Sequence, residues 1–155
     1  MKYCLIRLMT FAIMVIYALT SVTADAEGLH ISPFLQEEFA KNPSVTMVSM
    51  SGKQSDWKGL TSYRSVSVSG DDGNADAISA AVRKDGANAE FKETTFKDGR
   101  LYFGFYGFGG EGRHRKYVFF LDLRPKGKSK TTLIRIEGDW SPDEIKQMIT
   151  KKITK

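Results

Sequence analysis

Two alternating aromatic runs, "FKETTF" at 91–96 and "RLYFGFY" at 100–106, flank Lys97-Asp98-Gly99. Asp-Gly between such runs favours a tight hairpin, because both central positions must accept positive φ. This stretch therefore predicts two antiparallel strands that nucleate a sheet. Strict alternation would put Leu101, Phe103 and Phe105 on one face and Tyr102, Gly104 and Tyr106 on the other. The first set then belongs in the core.

The rest of the chain reads as further strands with three helices. "SPFLQEEFAK" places Ser32 as a cap and Pro33 at a first helical position, ahead of Phe34, Leu35 and Phe39. "SVTMVSMS" is β-rich. "YRSVSVSG" alternates, with Val66 and Val68 opposite Ser65, Ser67 and Ser69. "DDGNADAISAAVRKDG" predicts a helix that starts near Asp72 or Asn74, turns Ile78, Ala81 and Val82 inward, and stops at Gly86. "KYVFFLDL" and "TTLIRIEG" are strands around the basic turn "RPKGKSK". Ser141, Pro142 and Glu144 form a capping box ahead of an apolar stripe of Ile145, Met148, Ile149 and Ile153. The order is α-β-β-α-β-β-β-β-α. Short connections predict an α+β fold: an antiparallel sheet of about five to six strands with helices packed on one face.

The N-terminus bears on the compartment. Lys2 and Arg7 precede an apolar run from Leu8 to about Leu19, and small residues stand at Val22, Ala24 and Ala26. That is the layout of a secretory signal peptide over residues 1–26, leaving a single α+β domain over 27–155. The run is shorter than the roughly 20 residues a bilayer-spanning helix needs. Cleavage would remove Lys2, Arg7 and Asp25, one net positive charge from the formal +5, and Cys4, the only cysteine. The expected mature chain is thus exported, periplasmic or secreted, without disulfide or thiolate metal site and with no transmembrane segment.

Candidate functional residues are few. The Gly-rich loop 107–116 brings together Arg113, His114, Arg115 and Lys116, whose donors suit a carboxylate, sulfate or phosphate. Tyr102 and Tyr106, four residues apart on a strand, would point to one side, and the hairpin return would carry Arg113 and Arg115 to the same end of the sheet. Tyr102, Tyr106, Arg113, His114 and Arg115 are therefore the expected ligand-binding surface. Nucleic acid is disfavoured: the strand lacks a Lys/Arg-Gly start, and "SVTMVSM" offers no aromatic partner. No His/Asp/Glu grouping has metal-ligand spacing, no cofactor motif is present, and no catalytic set is recognisable. Asp122, flanked by Leu121 and Leu123, falls on the face it shares with Phe120.

The pieces "SVTMVSMSGK", "LTSYRSVSVSG", "KDGRLYFGFYGF" and "LIRIEGDWSPDEI" together resemble small exported proteins of Gram-negative bacteria known only as domains of unknown function. The resemblance implies an envelope location and an α+β fold, and carries over no catalytic residues. The functional expectation is a non-catalytic, envelope-associated binding protein, with an envelope component or a protein as its partner. The alternative is a small envelope hydrolase or a modulator of one.

Overall fold

The computed structural model describes residues 28–109 and 112–153. The signal-peptide reading, Cys4 and part of the Gly-rich loop lie outside them. A 3-10 turn (Ser32–Leu35) and the short helix α1 (Glu37–Ala40) lead into β1 (Val45–Ser51) and β2 (Leu60–Ser69). Helix α2 (Asp72–Gly86) follows, then β3 (Phe91–Lys97), β4 (Arg100–Phe108), β5 (Arg115–Asp122), β6 (Lys130–Gly138) and α3 (Pro142–Ile153). The six strands form one sheet in the order β1-β2-β6-β5-β4-β3, with every neighbouring pair antiparallel. The α+β architecture and the element order are those the sequence predicts.

Local chemistry explains most boundaries. Lys97 pairs with Arg100 across Asp98 (φ 52°) and Gly99 (φ 74°), the predicted two-residue hairpin. Ser141 Oγ accepts from Glu144 N at 3.3 Å, and Glu144 returns a carboxylate oxygen to Ser141 N at 2.7 Å. At α2 the cap is Asp71, one residue before the expected start, and it accepts from Asn74 N at 3.0 Å. The first predicted helix is interrupted. Gln36 is extended and splits it into the 3-10 turn and α1, and Ser32 makes no capping bond. What fixes this segment is Asp85, buried on α2, which accepts from His30 N at 2.7 Å and Ile31 N at 3.0 Å.

The helices, expected together on one face, lie on two. On one face α2 and the N-terminal turn bury Val66, Val68, Val118, Phe120 and Leu133 against Ile31, Leu35, Ile78 and Val82. On the other, α3 packs Ile145 and Ile149 against Leu60, Phe105, Tyr117, Phe119 and Ile136. Alternation along β5 and β6 explains this. Val118 and Phe120 face α2 while Tyr117 and Phe119 face α3, and Leu133 opposes Ile134 and Ile136. A sheet apolar on both faces needs cover on both.

One irregularity redirects the aromatic strand. Thr95 pairs with Phe103 and Phe96 with Leu101, so Tyr102 is an extra residue, a β-bulge. Beyond it the faces exchange. Leu101 packs with Tyr106 under α2, whereas Phe103 and Phe105 join the α3 side. The predicted grouping of Leu101 with Phe103 and Phe105, and of Tyr102 with Tyr106, does not survive the bulge.

Asp122 is buried on the α2 face with Phe120, as alternation places it. Arg124 donates to it from Nε at 3.0 Å and from Nη2 at 2.8 Å, and Nη2 also reaches Asp76 on α2 at 2.8 Å. Burial pushes the Asp122 carboxyl up, but the Arg124 hydrogen bonds outweigh it and hold it below the usual carboxylate range. This clamp ties the end of β5 to the first turn of α2.

Candidate functional site

Helix α3, 12 residues long, leaves part of its face of the sheet uncovered. The uncovered part is an apolar groove of about 600 Å³. Phe103 and Phe119 form its floor with Leu121 and Ile134, and Ile149 of α3 forms one wall. Phe119 is also stacked on Phe105, with centroids 4.3 Å apart and planes at 9°, which fixes the ring that roofs the deeper core. The bulge brings Tyr102 to the rim, and Lys126 Nζ lies 5.1 Å from its ring centre.

The charged side chains that line this groove are both lysines. Lys130 and Lys146 are among its lining residues, and no described aspartate or glutamate is. Lys146 also reaches Glu93 on β3 at 2.6 Å, a half-exposed ion pair between α3 and the sheet. The lining holds no histidine or thiol either. Apolar walls with a few polar groups at the margin, in this volume range, are the usual make-up of a small-molecule site.

The residues singled out from the sequence are dispersed. Tyr102 is half-buried at the groove rim. Tyr106 is 3% exposed, inside the α2 core, and that burial pushes its phenol pKa up. It is therefore not part of a surface with Tyr102. Arg113 is exposed. His114 sits between Glu137, 3.7 Å away, and Asp139, 3.6 Å away. Arg115 reaches Glu90 at 3.2 Å. The Glu144 carboxyl is held low by the Ser141 backbone and hydroxyl, with Arg113 adding a smaller pull. The basic loop thus faces carboxylates of the protein itself. Sequence reasoning missed the groove residues Lys130, Lys146, Leu121 and Ile134. Their signal was the apolar alternation of β5 and β6, which supplies more α3-facing surface than one short helix can hide.

Among the described residues no three acidic, histidine or cysteine side chains could hold a metal ion, and no helix is long and apolar enough to cross a membrane. The profile of a family of unknown function (DUF6108) matches residues 18–149. The chain belongs to this family. The match runs through every strand and most of α3, so both packed faces and all of the groove lining but Thr150 fall inside the family region. Neither a curated protein nor a solved structure matches the chain.

Proposed function

We propose that the protein is an exported, non-catalytic binding protein whose groove holds a single-chain anionic amphiphile, an envelope component with an apolar tail and an acidic head. The observation that carries this is the groove itself: apolar walls around about 600 Å³, Lys130 and Lys146 among its lining residues and no carboxylate among them. The tail would replace water against Phe103, Phe119, Leu121 and Ile134, at roughly 25 cal/mol per Å² of apolar surface buried. The head would meet Lys130, because Lys146 is already paired with Glu93. The lining offers no described histidine, carboxylate or thiol to act as base or activated nucleophile, which favours holding over turnover. Export rests on the leader-like layout of residues 1–26, and sequencing the N-terminus of the purified protein tests it: a start near Glu27 is expected, and retention of Met1 would remove this part of the reading.

Calorimetric titration of the mature protein with dodecanoate, below its micelle concentration, tests the groove. One saturable site is expected, with dodecanol and dodecyltrimethylammonium at least tenfold weaker. Leu121→Glu, at a half-buried position, should abolish binding while keeping the fold. Equal binding of all three amphiphiles, or undiminished binding by Leu121→Glu, defeats the proposal.

A further inference from the structure

We propose that a second site, on the opposite face of the sheet from the groove, binds one carboxylate group of a small polar ligand. Under α2 the strands are apolar, but toward the other end they turn polar. Ser62 and Arg64 of β2 lie beside Arg135 and Glu137 of β6 on the same face. A cavity of about 380 Å³ opens there, lined also by Ser32, Leu35 and Gln36 of the N-terminal segment.

Arg64 and Arg135 are directly opposite each other in the β2–β6 register. Like charges in facing positions repel unless an anion lies between them. The lining supplies one, Glu137, which Arg135 Nη2 contacts. Arg64 donates through Nη1 to the Leu35 carbonyl at 2.7 Å, a bond that aims the guanidinium but brings no charge. Arg135 Nε is shielded from solvent and has no hydrogen-bond partner among the described residues. A guanidinium N–H left so is costly, and a ligand that let Arg135 turn would relieve it. Two guanidinium groups against one carboxylate leave a single positive charge. One carboxylate of a ligand balances it, and its two oxygens match a guanidinium fork. A dianionic phosphate would overshoot and face Glu137 at close range. Ser32, Ser62 and Gln36 make most of the remaining wall polar, with Leu35 its apolar member, so the rest of the ligand is a small, mainly hydrogen-bonding molecule.

The test is an NMR titration of the mature protein with N-acetylglycine, its neutral amide and inorganic phosphate, following backbone amides of β2 and β6 and the arginine Nε–H resonances. Saturable shifts of Ser62, Arg64 and Arg135 with N-acetylglycine are expected, at least fivefold weaker with the amide and with phosphate. Arg135→Lys keeps the charge but loses the fork, and should weaken N-acetylglycine at least fivefold with an unchanged spectrum elsewhere. Glu137→Gln should move preference toward phosphate. Equal responses to acid and amide, phosphate binding more tightly to the parent, or undiminished binding by Arg135→Lys would each overturn the site. Dodecanoate binding in the groove is read by calorimetry and is lost in Leu121→Glu, whereas this site is read from β2 and β6 amides and is lost in Arg135→Lys, so failure at one site is distinct from failure at the other.

Discussion

The ring of Tyr106 fills the space that a side chain at Gly86 would need: a Cβ at Gly86 would lie 2.3 Å from its Cε1. Gly104, two residues earlier on the same strand, is as close from the other side, its Cβ position 2.6 Å from Cε2. The tyrosine is thus held between a glycine that ends α2 and a glycine on its own strand. The glycines at 86 and 104 make room for the Tyr106 ring.

Gly86→Ala should therefore destabilise the protein. In an ordinary helix the same change gains up to about 1 kcal/mol. Here the methyl meets a buried ring, and overpacking of this kind costs about 1–3 kcal/mol. In a Tyr106→Val background the penalty should vanish, because the obstacle is gone. Denaturant unfolding of the two single variants and the double variant measures this. A stabilised Gly86→Ala, or an equal penalty in both backgrounds, would show that the contact does not exist in solution.

The hairpin makes a different kind of demand on glycine. A Cβ at Gly99 would meet nothing within 4 Å, so only its φ of 74° opposes a side chain. Gly99→Val should cost about 1 kcal/mol or more, and Gly99→Asn, which tolerates that region, much less. Thermal melts of the two variants check the order. Equal midpoints for Val and Asn would contradict the backbone account.

The Asp122–Arg124 clamp predicts a pH dependence with a definite sign. The folded carboxyl titrates below its ordinary value of about 3.9. Its contribution is therefore present in full above that value and is lost as pH falls through the lower, folded one. The melting temperature of the parent should drop steeply below about pH 4. Asp122→Asn should be less stable at pH 7, leaving Arg124 without its buried partner, and should show a shallower acid decline. Parallel acid declines in parent and variant would assign the effect to other groups.

Much of the architecture was legible in short-range chemistry. Asp98-Gly99, the Ser141–Glu144 box and the alternation of Val66 and Val68 each act over a few residues, and each appears where the sequence places it. The misreadings share a different cause. Which face Tyr106 occupies depends on an extra residue in a pairing partner. The single-face packing failed because α3 closes on a face already apolar in β5 and β6, a choice made between elements distant in sequence. Lys130 and Lys146 border one groove only because β6 and α3 meet in space, and nothing near either residue announces it.

The extra residue in β4 gives the last test. Thr95 pairs with Phe103 and Phe96 with Leu101, so Tyr102 has no partner in β3. Deleting Tyr102 joins Leu101 directly to Phe103 and leaves both flanking registers intact. The cost should be small, about 1 kcal/mol, comparable to the lost contact between Lys126 and the Tyr102 ring together with a change in local twist. Deleting Thr94 is the control of equal length. Thr94 is exposed and pairs with Gly104, so its side chain contributes little, but its loss slips the start of β3 by one residue. That slip turns Phe91 away from Phe105, whose ring centre is 5.0 Å from its own, and should cost about 2 kcal/mol or more. Denaturant unfolding of the two deletions ranks them. If the Tyr102 deletion is the more damaging, the bulge is not where β4 changes faces, and the assignment of Leu101 and Phe103 to opposite cores fails with it.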